Sequence, residues 1–169
     1  PAVGCALAAG QADAAVVVTA SHHPATDNGF KIMLAKGRKP PSNVLRDLER
    51  LIHNMPPPSE TPGTILPKVE PTAWWQALTS GLGELSSLDG RRLVIDFANG
   101  AAQIAEDWLH RNTPANWTVA EPSSQTINDG CGSEHLEHLS RVVAAGDFEG
   151  GLALDGDGDR CRLVDARGN

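Results

Sequence analysis

Residues 152–160 read LALDGDGDR, an apolar segment that runs directly into an acidic, glycine-rich loop. The apolar residues predict the end of a buried strand. Beyond it, Asp155, Asp157 and Asp159 alternate with glycine, so the loop can fold back and bring the three carboxylates to one point. Carboxylate oxygens are ligands that Mg²⁺ prefers, and three of them leave room for a phosphate oxygen. The alternative is a solvated acidic turn, which mutual repulsion of three unpaired aspartates disfavours.

Strand and helix patterns alternate in the sequence that leads up to this loop. Strands are predicted over residues 92–97, 116–120, 151–154 and 161–165, and helices over 71–82, 101–111 and 133–145, the last with Ser133 as its N-cap. Strands joined through helices lie parallel in one sheet, with the helices packed on its faces. We therefore predict an α/β fold of three-layer α/β/α domains with mixed, mainly parallel sheets.

Sequence patterns in the N-terminal third of the chain predict two further strands joined by a loop. Residues 14–20 are short, apolar and rich in valine, which indicates a buried strand. A second strand is expected over 30–34 and a helix over 43–53. Four prolines within residues 55–63 predict a linker. We place the boundary between two domains there, giving domains 1–66 and 67–169.

The loop between the two N-terminal strands carries a second group of reactive side chains. Ser21 lies where the first strand ends, a common place for a functional hydroxyl. His22 can exchange a proton near neutral pH, and Lys31 adds a charge that suits phosphate. A serine next to a histidine is a weak signal by itself, because adjacent residues rarely form a nucleophile–base pair. The Gly-x-Ser-x-Gly elbow of hydrolases is absent from the loop.

Composition narrows the possible partners and location. The 169 residues carry a formal net charge of −7 and only 4% aromatic side chains, which argues against nucleic acid and against an anionic membrane surface. The three cysteines have no disulfide or zinc-site spacing, so we expect free thiols in the cytoplasm. No signal peptide or membrane-spanning run is expected. The chain begins with proline and ends directly after a turn-like segment, so we expect a piece of a longer protein. The sequence does not specify an oligomeric state.

Two motifs together resemble a known enzyme family. TASHHPATDNGFK at residues 19–31 is similar to the phosphoserine loop of the α-D-phosphohexomutases, and LALDGDGDR resembles their magnesium loop, in the same order. VIDFANGAA at 94–102 and INDGCGS at 127–133 resemble the bacterial phosphoglucosamine mutases. The resemblance covers the end of the family's first domain and most of its second, in an enzyme of four domains. His23 stands where the family usually has asparagine, which puts the loop geometry or its pH dependence in question.

The resemblance implies interconversion of glucosamine 6-phosphate and glucosamine 1-phosphate through a sugar bisphosphate. Ser21 would carry the phosphoryl group, with a sugar 1,6-bisphosphate as primer and a small phosphosugar as substrate. One Mg²⁺ per chain would bind a phosphoserine oxygen and the three loop aspartates. His22 and Lys31 are candidates for proton transfer, and Arg160 for pairing with phosphate.

Several alternatives remain open from the sequence. A phosphomannomutase/phosphoglucomutase would carry the same two loops. An aspartyl-phosphate phosphatase would use Asp155 as nucleophile and leave Ser21 without a role. A non-catalytic metal-binding fragment would never turn over. The sugar and phosphate loops of the family's third and fourth domains are not found in the sequence, so we expect the isolated chain to be inactive.

Overall fold

The computed structural model describes residues 1–58, 61, 63–67 and 70–169, and these divide into two compact units. One unit contains residues 18–31 and 78–169 with Pro1, and the other contains 2–17 and 32–77. The helices are α1 (Ala2–Ala8), α2 (Ser42–His53), α3 (Thr72–Gly81), α4 (Glu106–Asn112) and α5 (Glu137–Ala145). The strands are β1 (Ala14–Val18), β2 (Phe30–Leu34), β3 (Arg92–Asp96), β4 (Asn116–Val119), β5 (Gly150–Leu154) and β6 (Cys161–Asp165).

A four-stranded sheet in the order β4-β3-β5-β6 forms the centre of the unit that contains residues 78–169. β3 runs parallel to β4 and to β5, and β6 closes the edge antiparallel to β5. In this register Asp96 lies opposite Ala153. The carboxyl ends of β3 and β5 therefore meet at one edge of the sheet, where both strands continue into polar loops.

Helix α5 covers this sheet and completes its hydrophobic core. Leu139 and Val143 are fully buried and pack with Val94 and Ala153. A Cβ atom on Gly151 would lie 2.9 Å from side-chain carbons of both Leu139 and Val143, so the helix sits directly on the backbone of β5. The predicted α/β class with a mixed, mainly parallel sheet is confirmed.

The first two strands pair with each other in a sheet of their own. Every second residue of β1 is exposed, and the side chains of Val16 and Val18 are 60% and 61% accessible. The prediction of a buried strand over residues 14–20 is therefore wrong. A pleated strand sends successive side chains to opposite faces, and one face of this strand is open among the described residues. The predicted strand over 30–34 and helix over 43–53 are present, within one residue at each end.

Two helices begin later than their sequences indicate. Residues 101–105 form a 3₁₀ turn before α4, and residues 133–136 precede α5. The backbone N–H of Ser133 donates to the carbonyl of Leu154 at 2.9 Å, so this residue belongs to the loop that packs on β5. Its hydroxyl is buried with no hydrogen-bond partner among the described residues. The prediction that Ser133 is the N-cap is wrong.

Part of the predicted linker over 55–63 lies outside the described residues, namely Ser59, Glu60 and Pro62. The division into domains 1–66 and 67–169 stays a prediction. Within the described residues, no helix combines the length and the apolar character that crossing a membrane requires.

Candidate active site

The acidic loop after β5 is bent back on itself by its own backbone. Asp155 is fully buried, and one of its carboxylate oxygens accepts the N–H groups of Asp159 and Arg160 at 3.0 and 3.1 Å. These two hydrogen bonds close the loop into a tight turn. The carboxylates of Asp155, Asp157 and Asp159 lie close together in it, with one oxygen from each within 4.8 Å of the others. The turn predicted from alternating aspartate and glycine is therefore present, and its oxygens converge.

The hydroxyl of Ser21 lies against this acidic cluster. Its Oγ donates to Asp155 Oδ2 at 2.8 Å and also lies 3.1 Å from Asp157 Oδ1. The backbone of Ser21 is left-handed, with a φ of 55°, and its N–H donates to Thr19 Oγ1 at 2.9 Å. A left-handed conformation costs a residue other than glycine on the order of 1–3 kcal/mol and persists where surrounding contacts impose it. The serine is thus held in one orientation, with its hydroxyl toward the carboxylates.

Lys31 supplies positive charge from β2, the strand that follows the Ser21 loop. Its Nζ forms an ion pair with Asp157 and another with Asp159 at 3.2 Å. Burial by itself would lower the pKa of Lys31, but the hydrogen bonds and charges of the two aspartates outweigh it and raise this pKa. Burial likewise opposes ionisation of Asp157, yet the contact with Lys31 holds the pKa of that carboxyl below its ordinary value. Lys31 and Asp157 are therefore both charged at neutral pH.

Arg160 lies beside the cluster, and His22 follows Ser21 in the chain. The Nδ1 atom of His22 is buried without a hydrogen-bond partner among the described residues, and its ring centre is 4.7 Å from that of His23. The guanidinium of Arg160 is about half exposed, 3.9 Å from Glu134 and 4.0 Å from Asp159. The structure therefore brings Ser21, Lys31 and the three aspartates together through hydrogen bonds and ion pairs, with Arg160 at the edge of this group.

A third loop, after β3, packs against the acidic loop. Asp96 is buried, and its two carboxylate oxygens accept the N–H groups of Ala98 at 2.8 Å and Gly132 at 2.7 Å. Gly100 lies so close to the acidic loop that a Cβ atom there would be 2.4 Å from the carbonyl oxygen of Gly156. Sequence reasoning missed this support. The available signal was an aspartate at the end of an apolar strand, followed directly by a turn with Asn99 and Gly100.

Asn128 is the other functional residue that sequence reasoning missed. Its side-chain amide donates to the carbonyl oxygens of Ser21 at 2.8 Å and His23 at 2.9 Å. The INDGCGS stretch that contains it contributed to the family resemblance, but contacts across more than 100 positions of sequence left no local pattern from which to predict them.

Comparisons with known proteins identify sequence relatives and similar folds. Residues 1–57 match the family model described as phosphoglucomutase/phosphomannomutase, alpha/beta/alpha domain I. The phosphoglucosamine mutase of Corynebacterium jeikeium (strain K411) is 38% identical over 163 residues, which cover 94% of this chain and 36% of that protein. A solved structure of a phosphoglucomutase/phosphomannomutase family protein from Burkholderia thailandensis is 26% identical, with a TM-score of 0.69. It matches 93% of this chain and 34% of that one.

A further solved structure, from Thermus thermophilus, has a TM-score of 0.77 over 99% of this chain and 40% of that one. At 21% identity, it supports the fold alone. This chain thus spans between about a third and two fifths of the length of each of these proteins. The chain is therefore similar over nearly its whole length to part of the phosphoglucosamine mutases, and its residues 1–57 match the first domain of the phosphoglucomutase/phosphomannomutase family.

Proposed function

We propose that this chain forms the phosphoserine and metal-binding part of a phosphosugar mutase that interconverts glucosamine 6-phosphate and glucosamine 1-phosphate. The observation that carries the proposal is the position of Ser21 Oγ, 2.8 Å from Asp155 Oδ2. A serine held by a left-handed backbone against a carboxylate cluster, with Lys31 beside it, suits transient attachment of a phosphoryl group.

The proposed cycle consists of two phosphoryl transfers in opposite directions. In the first, the bond between Ser21 Oγ and phosphorus breaks, a bond between phosphorus and the free sugar hydroxyl forms, and the proton leaves the attacking oxygen. The bisphosphorylated sugar then reverses its orientation in the site, and its other phosphoryl group is transferred to Ser21. Such transfers depend on positioning and charge neutralisation more than on covalent help from the protein.

Lys31 and His22 divide the proton transfers between them in this proposal. Because its pKa is raised by the aspartates, Lys31 stays an ammonium at neutral pH. In this proposal it holds the proton that the serine oxygen takes up, and its positive charge stabilises the negative charge that develops on that oxygen. The buried Nδ1 of His22, which has no hydrogen-bond partner among the described residues, suits acceptance of a proton. The half-exposed guanidinium of Arg160 is available to pair with phosphate oxygens at the edge of the cluster.

The donor set fits a hard divalent cation. Three carboxylates contribute oxygens within 4.8 Å of one another, as Mg²⁺ or Mn²⁺ requires. We propose that Asp155, Asp157 and Asp159, with the oxygen on Ser21, hold one Mg²⁺ per chain. When bound, the ion supplies neutralisation of the charge on the phosphoryl oxygens.

The substrate assignment rests on the matched relatives. The Corynebacterium protein is a phosphoglucosamine mutase, and the phosphomannomutase/phosphoglucomutase activities are the alternative. We include in the proposal a sugar 1,6-bisphosphate as primer and a cytoplasmic location, which the three free cysteines support. The domain division at residues 66 and 67 is also part of the proposal.

A chimera tests the proposal directly. This chain replaces the matching segment of the Corynebacterium jeikeium phosphoglucosamine mutase, and turnover of glucosamine 6-phosphate is measured with Mg²⁺ and glucose 1,6-bisphosphate. We expect isomerisation by the chimera, loss of turnover in its Ser21→Ala variant, and no turnover by the 169-residue chain alone. A preference for glucose or mannose phosphates would favour the alternative substrates.

Mass spectrometry of the primed chimera separates the remaining mechanisms. We expect one acid-stable phosphate on Ser21. An acid-labile phosphate on Asp155 would instead support a phosphatase-type nucleophile. A folded chimera that binds Mg²⁺ but takes up no phosphate and does not turn over would support a non-catalytic metal-binding chain.

A further inference from the structure

Asn128 contacts the reactive serine loop from outside that loop. Its amide nitrogen is 2.8 Å from the carbonyl oxygen of Ser21 and 2.9 Å from that of His23. Because both partners are carbonyl oxygens, the group that faces them must be the –NH₂, and both of its N–H bonds are used. Asn128 is only 8% exposed, so these hydrogen bonds are largely shielded from competing water.

The backbone of Asn128 is itself fixed by the end of β3. It is left-handed, with a φ of 58°, a region that asparagine tolerates better than most residues. Its N–H donates to the carbonyl of Ala98 at 3.0 Å, and the N–H of Ala98 donates to the buried Asp96 at 2.8 Å. A continuous series of hydrogen bonds therefore connects the central sheet to the carbonyl group of Ser21.

The acidic loop leaves space for this contact. A Cβ atom on Gly156 would lie 2.6 Å from the carbonyl oxygen of Ser21 and 3.0 Å from the amide nitrogen of Asn128. Any larger residue at this position would displace one of the two partners. The amide and the carbonyl thus meet in a gap that only glycine provides.

The two sets of contacts on Ser21 respond differently to phosphorylation. The hydroxyl of Ser21 donates to Asp155 and lies 3.1 Å from an oxygen of Asp157, and a phosphoryl group on Oγ removes that donor and adds negative charge beside two carboxylates. The hydrogen bonds from Asn128 go to backbone carbonyls, which the modification leaves unchanged. They are therefore able to persist in both states of the serine.

We propose that Asn128 is a positioning residue that keeps the Ser21 backbone in place whether or not the serine is phosphorylated. The inference rests on the proposed function, because it concerns the phosphorylated state of Ser21. It deepens that function by assigning the alignment of the phosphoserine to a loop other than the one that carries the metal ligands.

The test compares the 169-residue chain with serine at position 21 and with phosphoserine installed there during translation. Hydrogen exchange of the Ser21 and His23 amides, followed by NMR, reports on the loop in both forms. In the chain that retains Asn128, we expect these exchange rates to differ by less than about threefold between the serine and phosphoserine forms. Asn128→Gly keeps the left-handed backbone and removes both hydrogen bonds. It should accelerate exchange by about 5- to 100-fold, with the larger effect in the phosphoserine form.

Asn99→Gly is the matched control. Asn99 is also left-handed, with a φ of 50°, and its amide also donates to two carbonyls, those of Ser124 at 2.9 Å and Thr126 at 3.2 Å. This variant should leave the Ser21 and His23 rates within about twofold of the original. Asn128→Asp is the second variant, because it keeps the side-chain shape and loses the donors. It should reproduce the acceleration, and circular dichroism identifies any variant that does not fold.

Unchanged exchange in folded Asn128→Gly and Asn128→Asp would overturn the proposal. Equal acceleration by Asn99→Gly would also overturn it, since it would indicate general loosening of the loops. Because the phosphate is introduced during translation, none of these results requires the chain to transfer phosphate. Failure of the mutase proposal in the chimera is therefore distinguishable from failure of this one.

Discussion

Asp157 is the residue through which the two reactive loops are most directly joined, because it contacts both Ser21 and Lys31. Asp157→Asn should weaken Mg²⁺ binding by the chain by about tenfold or more, since one of three charged ligands becomes neutral. Titration calorimetry measures the affinity. Asp107→Asn removes the same charge from an exposed helical site and should leave the affinity unchanged. Equal Mg²⁺ affinity in Asp157→Asn and the unmodified chain would contradict the metal assignment.

Lys31 stabilises the acidic cluster in the absence of metal. Lys31→Met should lower the free energy of unfolding at pH 7 in metal-free buffer, by less than about 1 kcal/mol, because the lysine side chain is 43% exposed and the ion pair is screened. Chemical denaturation measures the difference. Lys39→Met, at an exposed lysine, should have no comparable effect.

The direction in which pH changes the stability difference between the unmodified chain and Lys31→Met can be predicted. Contact with Lys31 lowers the pKa of Asp157, so the pair contributes stability above the ordinary carboxyl pKa of 3.8 and loses it as the pH falls. The pKa of Lys31 is raised, so the contribution also fades as the pH rises above its ordinary value of 10.5. The difference between the two proteins should therefore be present near neutrality and shrink as the pH falls below 3.8. A constant difference from pH 7 to pH 3 would show that the ion pair is not its cause.

At the scale of whole elements, close approach between backbones positions the site. Gly100→Ala should reduce stability by about 1–3 kcal/mol, because its new methyl group would lie 2.4 Å from the carbonyl oxygen of Gly156. Gly83→Ala is the control, since a Cβ atom there meets no other atom within 4 Å. Urea denaturation compares the two variants. If both had the same small effect, the turn after β3 would not be packed against the acidic loop.

Local sequence patterns predicted most of the elements but not all of their ends. The apolar runs of β3 and β5 specify strands by themselves, because burial of their side chains is the dominant local signal. The start of α5 could not be read from Ser133, since the loop before it is held by a hydrogen bond to Leu154 on a distant strand. Helix α1 was not predicted. It is seven residues of mostly small side chains, and its stability depends on burial of Leu7 rather than on a periodic apolar face.

At the scale of the whole molecule, the site is assembled from segments far apart in sequence. Ser21 and Asp155 are separated by 134 positions, and residues 32–77, which lie between them, belong to the other compact unit. The sequence identified both loops by their residue types, and the family resemblance joined them in one site. The support of these loops by Asp96 and Asn128 could not be predicted, because it consists of hydrogen bonds between side chains and backbone groups that are distant in sequence.

Burial across the molecule should also determine which cysteine reacts. Burial, together with the negative charges of Asp96 and Asp129, raises the pKa of Cys131 to about 11, and its side chain is 1% exposed, whereas Cys161 is exposed. Iodoacetamide at pH 8 should therefore modify Cys161 and leave Cys131 unmodified in the folded chain, because the thiolate is the nucleophile. Peptide mass spectrometry measures the labelling.

Denaturing urea provides the control for this labelling, since both thiols should then react. The raised pKa of Cys131 also implies that stability falls as the pH rises from the ordinary thiol value of 9.0 toward 11. Labelling of Cys131 as fast as Cys161 in native buffer would contradict the burial of the loop after Asn128.

The left-handed backbone of Ser21, with its φ of 55°, restricts which alcohol can serve at this position. Threonine carries the same hydroxyl, but its branched Cβ makes a positive φ a genuine outlier, since the extra methyl group crowds the preceding and following peptide units. The loop therefore excludes threonine through steric hindrance at the main chain, although its hydroxyl chemistry is equivalent. The main-chain conformation at position 21 therefore favours serine over threonine independently of any bound ligand.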